Sequence, residues 1–355
     1  MAMAMGMRKL RERRQLRLSV SVTPPASPPF LNQEHPLGGL PSTPPGSPGP
    51  VIDSLAELER LAVLGHGAGG TVYKARHRRT GAVLAVKALR DGDDNDDAAL
   101  READVHLHVA TAAPDHPHVV RLHGVFPGDP ASGDRLLYLV LEYVPDGSLG
   151  DLLRRYGRLP EHAIAGVARC VLCGLRHLHR LGVVHGDVKP SNLLVGRRGE
   201  VKIADFGASR LVSGAGAHRA AAGTYAYMSP EKLDPEGFGA SAPSAEFSSD
   251  VWALGVVLLE CHLGRFPLVG AGERPDWAAV VVAVCFGGAP EVPVAASPEF
   301  GGFVRRCLEK DWRGRATVEE LLGHPFVAGR PPCCTTNEWL TNFNNELTSE
   351  RAGFT

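Results

Sequence analysis

The chain has 355 residues, 44 % of them apolar, with a formal net charge of −1. The apolar share supports a sizeable buried core, and the near-zero charge gives no whole-chain reason to expect nucleic acid or another polyanion as partner. Discounting an amino end unfit for a core leaves roughly 300 residues, enough for one large domain or two lobes.

The chain opens with MAMAMGMRKLRERR, which lacks the apolar stretch of a secretory signal. It is Arg-rich and acid-poor, so an organelle transit peptide, a generic basic tail and a partner-docking segment all remain open. Residues 23–50 are dominated by Pro, Gly and Ser and cannot bury enough surface to offset their ordering entropy, so a disordered linker is expected. Its Ser-Pro and Thr-Pro pairs at Thr23, Ser27, Thr43 and Ser47 are either acceptors for a proline-directed kinase or chance products of composition.

From about residue 58 the pattern predicts strands. LERLAVLG, TVYKARH, AVLAVKAL, VVRLHGVF and LLYLVLEYV are short apolar or β-branched runs separated by turn signals such as RRTG (78–81). One helix interrupts them, DDAALREADVHLHVA, opened by aspartates suited to an N-cap and first turn. The acidic DGDDNDD (91–97) before it reads as a solvated loop. After PDGSL (145–149) the character becomes helical: EHAIAGVARCVLCGLRHLH places Ile164, Val167, Ala168, Val171, Leu175 and Leu178 on one face. SDVWALGVVLLECHLG and FVRRCLEKD read as further helices, the former buried nearly all round and too short to span a bilayer, so no membrane is expected. Cys170 and Cys173 form a CxxC inside a helical apolar pattern without a second pair, which predicts core packing. Scattered cysteines suit a reducing, intracellular setting.

Between these elements lie residues that carry chemistry. LGHGAGGTV (64–72) holds Gly65, Gly67 and Gly70 in a G-x-G-x-x-G-x-V spacing between two strands. Such glycines let backbone N–H groups approach phosphate oxygens, although glycine-rich hairpin turns are common. The following strand argues against a dinucleotide-binding turn, which needs a helix next. Lys87 sits on a strand among apolar residues, where an unpaired charge is costly, and Glu102 on the early helix is its natural partner. In HGDVKPSNLL (185–194), Asp187 can take a hydroxyl proton, Lys189 can steady a phosphoryl group and Asn192 can hold a metal. Eighteen residues past Asp187, IADFGAS supplies Asp205 as a metal-binding carboxylate. One carboxylate, one amide and nucleotide phosphates satisfy magnesium, which keeps several waters.

The order of these motifs resembles the eukaryotic protein kinase family over residues 58–326, with residues 1–57 as a basic docking tail and Pro-rich linker and 327–355 as a loosely ordered tail. MSPE (228–231), SDVW (249–252) and Arg315 add to the resemblance. It implies an α+β bilobal fold, with a small five-stranded N-lobe carrying one helix and a larger, mostly helical C-lobe. It implies ATP and Mg2+ as cofactors, with Lys87, Glu102, Asp187, Lys189 and Thr224 as catalytic residues and Asn192 and Asp205 as metal ligands. ATP would lie against Leu64, Gly65, Gly67, Gly70, Val72, Ala85, Lys87, Leu141, Glu142 and Val144. Glu231 would pair with Arg315, and Asp250 would tie the catalytic loop to the helical core.

GTYAYMSPE, LEYVPDGSL and RPDWAAVVVAVCFGGAPEVP are similar to mitogen-activated protein (MAP) kinase kinases, most of all a plant group. That similarity implies phosphorylation of Thr and Tyr in the activation loop of a MAP kinase. RERRQLRL (11–18) resembles the docking site of such enzymes: Arg11, Arg13 and Arg14 would meet an acidic patch, and Leu16 and Leu18 an apolar groove. The similarity further implies an upstream MAP kinase kinase kinase, a monomer, and a cytoplasmic or nuclear setting. Two other readings stand beside it: a kinase-shaped docking scaffold with little or no activity, and a kinase acting further up a cascade.

The chain departs from this family at one switch. Two hydroxyl residues normally accept the activating phosphates, but counting back from Gly223-Thr224 those positions are Gly214 and Ala220, with Ser213 adjacent to the first. The arginine that pairs with such a phosphate is replaced by Gly186. Both halves of the switch are absent while Lys87, Glu102, Asp187, Lys189, Asn192 and Asp205 remain. A chemically competent kinase without the usual phosphate switch is the expectation.

Overall fold

The computed structural model describes residues 50–67, 69–90, 98–113, 115–129, 136–212, 223–239, 243–270 and 276–328. Strands β1 (Leu58–Gly67), β2 (Gly70–His77), β3 (Val83–Arg90), β4 (Leu122–Pro127) and β5 (Leu136–Glu142) form one antiparallel sheet in the order β1-β2-β3-β5-β4. Side chains alternate between its faces. On one face Ala75, Leu84, Val86 and Val140 pack with Ile52. On the other, Ala85, Leu89, Leu137, Leu139 and Leu141 pack against Ala99 and Ala103 of helix α1 (Ala98–Ala112). Both faces of β3 are covered, which is why its sequence reads as a nearly continuous apolar run. The alternation also puts Lys87 on the face that α1 covers.

The larger half is helical. It contains α2 (Leu149–Tyr156), α3 (Glu161–Arg180), α4 (Pro230–Leu233), α5 (Pro243–Leu263), α6 (Trp277–Val281) continuing into a π-turn (Val282–Phe286), α7 (Pro298–Cys307), α8 (Val318–Leu322) and α9 (Pro325–Ala328). A capping box between Ser148 and Asp151 starts α2. Ile164, Val167, Ala168, Val171, Leu175 and Leu178 of α3 are buried as the 3.6-residue period requires, and Cys170 is buried beside them. With Trp252, Leu254, Val256 and Val257 of α5, and Phe300, Phe303 and Val304 of α7, they form the main core. Two short strand pairs, β6 (Val183–Val184) with β9 (Arg210–Leu211) and β7 (Leu193–Val195) with β8 (Val201–Ile203), brace the loops above it.

Three boundaries differ from expectation. The strand in VVRLHGVF begins at Leu122, because Val119 and Val120 turn aside to bridge Ile203. Helix α5 begins at Pro243, ahead of the expected Ser249, with proline in the first turn where its missing N–H costs nothing. Helix α7 spans 298–307 rather than the expected 303–311. Ser297 caps its start, and the carbonyls of Glu309 and Lys310 beyond its end are taken by Arg315. Among the described residues, no helix is long and apolar enough to cross a membrane.

Candidate active site

Three charged residues distant in sequence meet at the base of the sheet. Lys87 Nζ donates to Glu102 Oε1 at 2.6 Å and to Asp205 Oδ1 at 2.7 Å. Glu102 reaches this point because it shares the inward face of α1 with Ala99, Ala103, His106 and Val109. Burial opposes the charge on Lys87, but the two carboxylates outweigh it and hold its pKa above the ordinary lysine value. Burial likewise works against ionised Asp205, yet Lys87 holds that carboxyl below its usual range. Asp205 also has a φ of 69°, a left-handed backbone uncommon outside glycine, which turns its carboxylate toward Lys87. Beside it Phe206 is buried, with its ring 4.5 Å from His106 and 5.8 Å from His185.

The second group of residues lies on the loop between β6 and β7. Asp187 is held from three sides: the Thr224 N–H donates to Oδ1 (2.7 Å), Lys189 Nζ lies 2.7 Å from Oδ2, and Asn192 Nδ2 donates to Oδ2 (3.1 Å). Lys189 also donates to Thr224 Oγ1 (2.7 Å), so Asp187, Lys189 and Thr224 form a closed polar ring. Beneath the loop, Asp250 accepts the N–H groups of His185 (2.9 Å) and Gly186 (2.8 Å), with His179 Nε2 2.9 Å away. Burial would raise the Asp250 pKa, but its hydrogen bond with His179 and the charges around it bring it down to about 2. Further along, Arg315 grips Glu231 with two parallel bonds of 2.6 and 2.9 Å, a buried fork-to-fork ion pair.

Of the residues expected to line a nucleotide, four come together in one apolar cluster. Val72, Ala85, Leu141 and Val144 share one apolar cluster with Leu194 and Ala204, which rise from the helical half. Leu64 is exposed on β1, and Glu142 is held by Lys202 Nζ at 2.8 Å. The three glycines of the β1–β2 turn differ in role. Gly65 and Gly67 border open space, whereas a Cβ on Gly70 would lie 1.9 Å from the Ala88 carbonyl. Two of them thus leave the backbone accessible, and the third answers to sheet packing.

Among the described residues, no group of three or more His, Cys, Asp or Glu could hold a metal ion unaided. Asn192 turns its amide nitrogen onto Asp187 (2.9 Å to the carbonyl), leaving its oxygen as an acceptor. Asp205 and Asn192 therefore offer one carboxylate and one amide oxygen, hard donors that suit a divalent cation whose other ligands are phosphates and water.

The structure brings Lys87, Glu102 and Asp205 into one cluster and Asp187, Lys189, Asn192 and Thr224 into another, the two linked where the Ala204 N–H donates to the Asn192 carbonyl. Arg13, Arg14, Leu16 and Leu18, the acidic 91–97 segment, and Ser213, Gly214 and Ala220 lie outside the described residues. Sequence reasoning did not single out Leu194, although it is the half-buried member between fully buried Leu193 and Val195 in β7. It also missed His106, whose pKa burial drives down to about 3, and Lys232, whose Nζ donates to the Gly186 carbonyl at 3.2 Å.

Comparison with known proteins bears on this arrangement. The family profile described as "Protein kinase domain" matches residues 58–327. Mitogen-activated protein kinase kinase 10 of Arabidopsis thaliana is 46 % identical over 294 residues, covering 81 % of this chain and 89 % of the relative. Mitogen-activated protein kinase kinases 9 and 7 of the same plant are 40 % and 39 % identical, each over 90 % of this chain and 98 % of the relative.

Proposed function

The chain belongs to the protein kinase family, among the MAP kinase kinases of plants, and on that premise we propose that it transfers the γ-phosphoryl group of ATP to Thr and Tyr in the activation loop of a MAP kinase. The contact of Lys87 with both Glu102 and Asp205 is the observation that carries this reading. It aligns the small lobe, its helix and the metal-binding aspartate for one nucleotide.

Phosphoryl transfer asks little covalent work of protein groups, so the residues act by positioning and charge. Lys87, held by Glu102, steadies the α- and β-phosphates. Val72, Ala85, Leu141, Val144 and Leu194 enclose the adenine. Asp205 and Asn192 would hold magnesium, which would supply positive charge to offset that of the phosphate oxygens. Asp187 orients the substrate hydroxyl and receives its proton as the oxygen bonds to the γ-phosphorus and the bond to the β-phosphate oxygen breaks, releasing ADP. Lys189 balances charge on the moving group, and Thr224 fixes Lys189 and Asp187 together. Arg13, Arg14, Leu16 and Leu18 would bring the substrate kinase to the enzyme through an acidic patch and an apolar groove. The scaffold reading gains no observation from this geometry.

The test is magnesium-dependent phosphate transfer by the purified full chain to a panel of MAP kinases bearing a Thr-x-Tyr loop, made unable to phosphorylate themselves. Transfer to both hydroxyls is expected, and Asp187→Asn should abolish it. Absence of transfer by the wild type to every substrate overturns the reading.

A further inference from the structure

Two histidines distant in sequence lie ring on ring where the connection from α1 to β4 meets α3. His116 belongs to that connection and His177 to the last turn of α3; their ring centroids are 4.4 Å apart and the planes differ by 7°. Around them residues 115–121 are tied to the helical half. The Ile203 N–H donates to the His118 carbonyl (2.9 Å), the Val120 N–H donates to the Ile203 carbonyl (2.9 Å), and His118 Nδ1 donates to the Val201 carbonyl (3.1 Å). Gly174 of α3 permits this approach, since a Cβ on it would lie 2.7 Å from the His118 carbonyl oxygen.

Both stacked rings are set for the neutral form. His116 Nδ1 accepts the His118 N–H at 3.2 Å, a bond that a proton on this nitrogen would displace. His177 Nε2 is buried with no hydrogen-bond partner among the described residues, so an imidazolium N–H there would go unpaired. The surrounding charges also oppose protonation: Arg176 of α3 and Lys202 of β8 act on His116, and Arg180 of α3 acts on His177. On the connection itself, Asp115 is engaged by Arg121 at 2.7 Å. His118, edge-on to His116, is flanked by Lys202, Arg169 and Glu200. Burial is the largest influence on all three histidines; it brings His116 down to about 4 and holds His118 and His177 below the ordinary histidine value.

We infer that the His116–His177 stack is an acid-sensitive fastener: neutral, it holds the end of α1 to α3, and protonation releases it. The fastening stands on the geometry alone, and its effect on turnover rests on the kinase reading, because α1 ends at Ala112 and carries Glu102. Freed at that end, α1 can turn and draw Glu102 away from Lys87. The sign with pH follows from the lowered stacked pKa. A released histidine titrates near 6.5, so protons favour the released state only below about that pH. Between about pH 7.5 and 5.5, opening rises about tenfold for each ring whose stacked pKa lies well below this range.

The experiment measures amide hydrogen exchange of 115–121 in the full chain at about pH 7.5 and 5.5, corrected for the intrinsic pH dependence of exchange. Wild type is compared with His116→Phe combined with His177→Phe, which keeps two rings to stack but takes no proton there. Opening in wild type should rise at least about tenfold on acidification, as His116 alone requires. The double variant should lose at least about tenfold of that response and keep only the share due to His118. Over the same range, kcat/KM for ATP should fall more steeply in wild type than in the variant; equal steepness breaks the link from the stack to Glu102. An equal exchange response in both proteins, or none in wild type, overturns the inference. If the double variant does not fold, His177→Phe alone decides, since its response must be smaller than that of wild type. If the wild type transfers no phosphate, the enzyme reading falls and the exchange rates still judge the stack.

Discussion

Asp250→Asn tests the coupling between the helical core and the catalytic loop most directly. Asp250 is 1 % exposed and accepts two backbone N–H groups of the loop beside His179. Its pKa falls from the usual 3.8 to about 2, despite burial that works the other way. At about 1.4 kcal/mol per pH unit, that favours the ionised folded state by about 2–3 kcal/mol. An asparagine removes the charge and turns an NH2 group toward donors, and leaving one buried N–H unpaired costs about 1–3 kcal/mol. The two costs overlap, so a loss of about 3 kcal/mol is expected. At about 2–4 °C per kcal/mol for a domain near this size, calorimetry at pH 7 should show Tm falling by about 6–12 °C. The sign with pH follows from the depressed folded pKa: the stabilisation is present above the unfolded pKa near 4 and is lost as pH falls toward 2. The gap between wild type and variant should therefore narrow on acidification, by roughly half at pH 3. A Tm within about 2 °C of wild type at pH 7, or a gap that widens in acid, would refute this reasoning.

Other expectations follow from the same geometry. Glu102→Gln leaves Lys87 with one carboxylate and should lower kcat/KM for ATP on the order of 100-fold, read in steady-state kinetics. Arg315→Lys cannot reproduce the two-pronged grip on buried Glu231, and urea denaturation should show a loss of about 3–5 kcal/mol. Leu16→Ala with Leu18→Ala should raise KM for the protein substrate about tenfold, roughly 1.4 kcal/mol, while KM for ATP stays put. Ser213→Ala should leave turnover unchanged, since the loop that carries Asp187 is held by Asp250 and Lys232; a lost rate would make Ser213 a phosphate acceptor after all.

The order of motifs was legible because phosphoryl transfer constrains residue types at short range. Asp187 and Asn192 lie on one loop, Asp205 precedes Phe206 and Gly207 at a turn, and Lys87 lies mid-strand. The strands and long helices were legible too, since β3 and α3 carry their burial pattern in their periodicity. Boundaries were less so. The ends of α5 and α7 depend on Pro243, Ser297 and the distant Arg315 guanidinium, which local patterning does not reveal.

From its sequence alone this chain is a protein kinase, because the motifs that place it in the family are residue identities at fixed spacings. How the backbone beside Asp187 is packed was decided only in three dimensions. Lys232 lies 46 residues from Gly186, and Gly223 lies 37, so no spacing rule joins them. Only the folded backbone, with both glycines left-handed and an ammonium set against one carbonyl, brings them into a single contact. A pairing of main-chain groups leaves almost no mark on the sequence beyond two glycines and a lysine.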